Sequence, residues 1–157
     1  MHIPMRRKDR EISREEALEV LDRSSWGTLS TVDNNNEPYC IPLSLAREGE
    51  WLYFHCAPEG HKTAVLRDRP KACIAFVGST AFPEDHFTAV YESAIVFGTA
   101  LEVNSDEEKI HGLRIISNRF TPGNMHAFDK EVSQMLARTS VWKIHIDEIT
   151  GKQRKKP

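Results

Sequence analysis

Hydrophobic and polar positions change period several times along this chain. Ser13-Arg-Glu-Glu16 sets a serine three residues ahead of a glutamate, so that each side chain can cap the other's backbone amide. Ala17, Leu18 and Leu21 then recur at helical spacing. Alternation takes over at residues 26–32, stops at the turn-forming run Asp33-Asn-Asn-Asn36 and resumes at 39–45, which predicts two strands. Residues 47–50 read as a hairpin turn into a third strand at 51–56. A Pro/Gly turn follows, then a short helix at 63–69 that must stop before Pro70, and 72–77 is strongly β. Residues 79–87 read as a surface loop. Residues 89–103 form a long strand bent near Gly98, where a missing side chain permits a bulge. Ser105-Asp-Glu-Glu108 opens another capped helix to about Ser117, and 125–138 carries a third amphipathic pattern. Residues 140–149 alternate, with Trp142, Ile144 and Ile146 on one side. Six or so antiparallel strands with short hairpins and peripheral helices predict a mainly β domain closing into a small barrel, since closure removes exposed edges.

Composition limits the rest. At 157 residues, 39% hydrophobic and 28% charged, the chain reads as one ordinary globular domain over 1–157, with 1–10 and 151–157 as flexible ends. A net charge of −2 gives no support for a nucleic-acid partner. No apolar run reaches the length of a membrane span, and the polar start at 5–11 does not serve as a signal peptide, so the expectation is a cytoplasmic protein with no membrane partner. Cys40, Cys56 and Cys73 are an odd count in apolar strand contexts and read as buried free thiols in a reducing compartment. Seven histidines lack ligand spacing, so no metal is expected. Trp26, Trp51 and Trp142 read as core or interface aromatics, and the basic run 152–156 as a solvated tail.

Candidate chemistry concentrates at Tyr53-Phe-His-Cys-Ala-Pro-Glu-Gly-His-Lys62. A helix start carries unpaired N–H groups and partial positive charge, so His61 and Lys62 at such a start suggest a phosphate-binding corner; the bland alternative is a first-turn surface pair. Pro42 interrupts an otherwise good strand and marks either an edge or a local break that leaves backbone groups free for a flat polar ligand. His55 reads either as a core histidine with a satisfied partner or as a residue beside a ligand.

Trp26-Gly-Thr-Leu-Ser-Thr31, Pro42-Leu43-Ser44, Tyr53-Phe-His-Cys-Ala57 with Gly60-His-Lys62, and Leu66-Arg-Asp-Arg-Pro-Lys71 run in order along the chain. Tyr91-Glu-Ser-Ala-Ile-Val-Phe-Gly98, Glu107-Glu-Lys109 and Ile149-Thr-Gly-Lys152 follow. In this order the chain resembles the flavin-mononucleotide-binding split barrels related to pyridoxamine 5′-phosphate oxidase, and among them the 5-nitroimidazole resistance proteins. The resemblance implies a six-stranded antiparallel split β-barrel and a homodimer with FMN at the subunit interface. It implies that Cys40, Ile41, Pro42, Leu43 and Ser44 line the isoalloxazine ring, and that His55, Cys56 and Ala57 pass beside the ring and ribityl chain. His61 and Lys62 would hold the phosphate where the oxidases tend to have Arg-Lys, and Ser93 replaces a glutamine that touches the flavin. Residues 119–125 or Trp142 would reach the cofactor from the second subunit, and 79–87 would shape the pocket.

The implied activity is an FMN-dependent oxidoreductase reducing a small nitroaromatic or quinone-like acceptor, with His55 as its catalytic residue. The alternative from another class is a non-catalytic flavin- or haem-binding barrel, with His126 or His145 as axial ligand. Two departures matter. The oxidases end in a tryptophan- and arginine-bearing clamp for the substrate phosphate, whereas this chain ends Thr150-Gly-Lys-Gln-Arg-Lys-Lys-Pro157, which argues against vitamin B6 oxidation. Histidine in place of arginine at 61 makes the phosphate grip weaker or pH-dependent.

Overall fold

The computed structural model describes residues 4–155. After a 3-10 turn at Lys8–Arg10, the elements run β1 (Glu11–Ile12), α1 (Arg14–Arg23), β2 (Gly27–Val32), β3 (Pro38–Leu43), β4 (Ala46–Glu48) and β5 (Trp51–Cys56). Then come α2 (His61–Asp68), β6 (Lys71–Ala81), β7 (Val90–Glu102), α3 (Asp106–Phe120), α4 (Phe128–Met135) and β8 (Ser140–Arg154). Both halves of the expected capping box are formed at α1, where Ser13 and Glu16 each accept from the other's amide. At α3 one half of that arrangement forms, Ser105 Oγ accepting from the Glu108 amide.

All strand pairs are antiparallel, in the order β3-β2-β6-β7-β8-β5-β4, with β1 added alongside β8. The two ends of this path, β3 and β4, are joined in the chain by Ser44 and Leu45 alone. So short a link obliges the sheet to curl until its two edges nearly meet, yet no ladder joins them: the barrel is split. Its interior is filled from both sides by Leu29, Ile74, Phe76, Val96, Leu52, Phe54, Trp142 and Ile144. Ala17, Val20 and Leu21 of α1 and Leu66 of α2 pack into the same core. A smaller cluster lies outside the barrel, where Ile116 of α3 covers Ala46, Tyr53, Val103 and Val141.

The six expected strands are present, and two short ones, β1 and β4, bring the sheet to eight. β4 occupies the first half of the stretch expected as a hairpin turn, leaving the reversal to Gly49 (φ 57°) and Glu50. α2 begins at His61 instead of 63, so the basic pair lies inside its first turn. β6 continues to Ala81, shortening the expected loop at its start. Residues 151–154, expected as part of a loose tail, extend β8 because β7 and β1 flank them on both sides; residues 156 and 157 lie outside the described residues. The register of β7 on β8 shifts between Phe97 and Gly98, the bulge foreseen at that glycine. A Cβ at Gly98 would collide with the His145 carbonyl oxygen and the Ile144 side chain. Backbone cannot swing aside, so Gly98→Ala should lower stability by about 1–3 kcal/mol, read as a lower urea midpoint.

Candidate flavin-phosphate site

The helix α2 connects the end of β5 to the start of β6 and crosses the gap that the split leaves near β3. Gly60 begins it with φ 145°, a conformation that only glycine adopts without strain, and supplies no side-chain cap. The amides of the first turn are left open at the positive end of the helix. Thr63, Val65 and Leu66 are buried beneath α2 and fix its inner face. Its ends are tied to the β2–β3 hairpin: His61 packs edge-on against Tyr39 with ring centroids 4.6 Å apart, and Asp68 accepts from Asn34 Nδ2 at 2.9 Å.

Lys62 is half-buried, its ammonium 5.3 Å from the centroid of the Phe54 ring and beside the Cys56 thiol. Among the described residues it has no ion pair with a carboxylate. A cation held on an aromatic face and left without a counter-ion next to a capless helix start is suited to a dianionic group. Burial raises the Cys56 thiol pKa, with Lys62 opposing it, so this thiol stays protonated.

β5 alternates strictly. Leu52, Phe54 and Cys56 face the barrel interior, while Trp51, Tyr53 and His55 face outward, so His55 is exposed and is not a core histidine. Desolvation by its neighbours, and secondarily the nearby Lys62 charge, push its pKa below the ordinary 6.5. It is therefore neutral at pH 7. A depressed value means that the stability His55 contributes is present above pH 6.5 and is lost as pH falls through its folded pKa. Lys62→Ala should raise the His55 pKa, seen as an upward shift of its Cε1–H titration midpoint by NMR.

On β3, Ile41 and Leu43 pack into the barrel core, whereas Cys40 and Pro42 point outward. Cys40 is exposed and Cys56 and Cys73 are half-buried, all as free thiols; the expected burial fails because Cys40 lies on the outer face of an edge strand. Pro42 sits on that same edge, paired with Thr28 and with no partner strand beyond it, where a missing N–H is tolerated. Ser44 lies in the link to β4, and Ala57 in the exposed approach to α2.

The fold thus gathers residues of β3, β5 and α2 at the split. Ser93 lies on β7, three strands from β3 along the sheet and two from β5. Trp142 is 1% exposed in the barrel core and cannot reach a second subunit's ligand, whereas 121–124 are exposed. Two surface concavities lie on the outer face, one of about 690 Å³ that runs from Pro38 on β3 and Arg69 at the end of α2 to Cys73 and Phe97, another of about 490 Å³ that includes Trp26 and Val77. Lys62, with no carboxylate partner among the described residues, and the open start of α2 lie together beside β5. Sequence reasoning missed Tyr39 and Phe54, the two rings that hold His61 and Lys62. Their only signal was aromatic character in strands flanking the basic pair.

Comparison with known proteins gives the family and the fold. The profile of the pyridoxamine 5′-phosphate oxidase family matches residues 13–153, and the chain belongs to that family. A solved structure named as a candidate 5-nitroimidazole antibiotic resistance protein, from Bacteroides thetaiotaomicron, superposes with a TM-score of 0.75. It is 25% identical, over 90% of this chain and 85% of that one. The flavocytochrome Anf3 from Azotobacter vinelandii gives 0.80 at 20% identity, over 98% and 73%. An FAD- and haem-binding protein from Mycobacterium smegmatis gives 0.76 at 23% identity, over 92% and 72%. The last two share the fold. No curated protein matches the chain.

Proposed function

We propose that this protein is an FMN-dependent oxidoreductase that reduces a small nitroaromatic or quinone-like acceptor. The observation that carries the reading is Lys62, a half-buried cation in the first turn of α2 with no carboxylate partner among the described residues, beside His61 and the capless Gly60. Those groups suit the phosphate of FMN, and Cys40 and Pro42 on the outer face of β3 are the surface along which the flavin ring would lie. When bound, FMN supplies the redox chemistry. The protein holds the phosphate, offers a mostly apolar surface that excludes water, and keeps His55 neutral at the rim. A neutral imidazole can hydrogen-bond a nitro or quinone oxygen, and its protonated form can deliver a proton as that oxygen gains charge.

The outer face of the sheet supports a homodimer. Val32, Val77, Phe97 and Leu101 stand 41–60% exposed on β2, β6 and β7, and Trp26 is 61% exposed beside them. An apolar face of this extent is suited to a two-fold partner, which would complete a flavin site at the seam. Light scattering should show a species of twice the 17.9 kDa chain mass; a monomer with flavin fully bound contradicts the seam.

The activity is tested by reducing the FMN-loaded protein with dithionite without oxygen and adding a 5-nitroimidazole. Reoxidation faster than that of free reduced FMN supports the enzyme. Flavin that binds but is reoxidised no faster favours a binding role. A haem-binding role has His145 as its better candidate: Nδ1 is held by Asp147 at 2.9 Å, which leaves Nε2 for a ligand bond. A Soret band abolished in His145→Ala would favour it.

A further inference from the structure

Arg67 lies at the other end of α2 from the basic pair, yet it is bonded both to the sheet and to the loop that leads into that helix. Its guanidinium makes a two-pronged contact with Glu102 on β7, Nε to Oε2 and Nη2 to Oε1, each 2.7 Å. Glu102 also accepts from the buried Ser140 hydroxyl of β8 at 2.9 Å. The same Nη2 donates to the Pro58 carbonyl at 3.0 Å. Pro58 belongs to the loop that delivers the chain to Gly60, so Arg67 ties the last turn of α2 back to the approach to its first.

A second set of contacts runs underneath. The Arg67 guanidinium carbon lies 6.0 Å from the centroid of the Trp142 ring. Trp142 stacks on Phe54 with planes 9° apart and centroids 6.3 Å apart. Phe54 carries the Lys62 ammonium at 5.3 Å on its ring. Two cations of one helix therefore bracket a pair of stacked aromatic rings from adjacent strands, and the ring pair is rigid because both residues are 1% exposed. Shifting Arg67 shifts the helix, and with it Lys62 and the open amides.

We propose that Arg67 is a positioning residue for anion recognition at this corner, acting through the forked contact to Glu102 and the Pro58 carbonyl, with no contact of its own to the ligand. The proposal rests on the reading of Lys62 as a phosphate ligand. A lysine at 67 keeps the charge but not the planar fork, so it cannot hold Glu102 and Pro58 together. Position and long-range charge thus predict different results for one substitution.

The test is fluorescence titration of FMN and riboflavin against the parent, Arg67→Lys, Arg67→Met and Glu102→Gln, with urea midpoints to confirm folding. Arg67→Lys and Arg67→Met should each weaken FMN by about tenfold, the equivalent of about 1.4 kcal/mol, while riboflavin binding changes less than about twofold. Glu102→Gln, which leaves Arg67 intact and keeps the side-chain shape, should lose part of the same preference. A merely structural role would weaken both flavins alike, and that result overturns the proposal. So does an Arg67→Lys protein with the parent's full FMN preference, which would mean that charge alone counts. A parent with no preference for FMN over riboflavin would instead remove the phosphate reading itself, and the proposal with it.

Discussion

Lys62→Ala should weaken FMN binding by about one to two decades and leave riboflavin binding almost unchanged. The expectation follows from three features of one residue. Its ammonium has no carboxylate partner among the described residues, it is braced on the Phe54 ring, and it sits in the first turn of a helix with no side-chain cap. A charge-assisted contact of this kind is worth about 1.5–3 kcal/mol. Riboflavin carries no phosphate and so has nothing to lose. The fold should survive, because α2 is anchored by Thr63, Val65 and Leu66 beneath it and by Arg67 at its end. Equal loss of both flavins would mean that Lys62 supports the pocket's shape and not the phosphate.

Trp142→Ala should destabilise the protein by about 3–5 kcal/mol, enough to unfold a marginal domain near body temperature. Trp142 is among the largest fully buried side chains; it stacks on Phe54 and lies against Arg67, so its loss opens a cavity shared by β5, β8 and α2. Trp142→Phe should cost much less. The indole Nε1–H is buried without a hydrogen-bond partner among the described residues, and phenylalanine removes that donor while keeping a ring on Phe54. Urea denaturation reads both costs; a Trp142→Phe protein as unstable as Trp142→Ala would show that a phenyl ring at this position does not restore the packing on Phe54.

The elements that could be read in advance were those with a local cause. The reciprocal Ser13–Glu16 cap and the alternation in β2 depend on residues near each other in the chain, and each appears; the bulge at Gly98 was legible from the residue type alone. The basic pair at the start of α2 was legible for the same reason. What was not legible depends on residues far apart. Residues 151–154 are ordered because β7 pairs with them and β1 pairs with 151 and 152; β4 is the exception, a local hairpin of Ala46–Glu48 on Trp51–Tyr53 that Gly49 marked only as a turn. The placement of His55 follows from which face of β5 the barrel encloses, and the exposure of Cys40 from β3 being an edge. Within the site, no pattern linked Arg67 to Glu102 across 35 positions or Trp142 to Phe54 across the sheet. The resemblance supplied the order of motifs, but not the rings that hold His61 and Lys62.

The most direct test of a flavin-phosphate corner at the split is titration of the purified parent protein with FMN, followed by quenching of flavin fluorescence, with riboflavin alongside. The account predicts quenching that saturates at equal amounts of flavin and chain, with FMN bound at least about tenfold more tightly than riboflavin. Absence of quenching, or equal affinity for the two flavins, would contradict it.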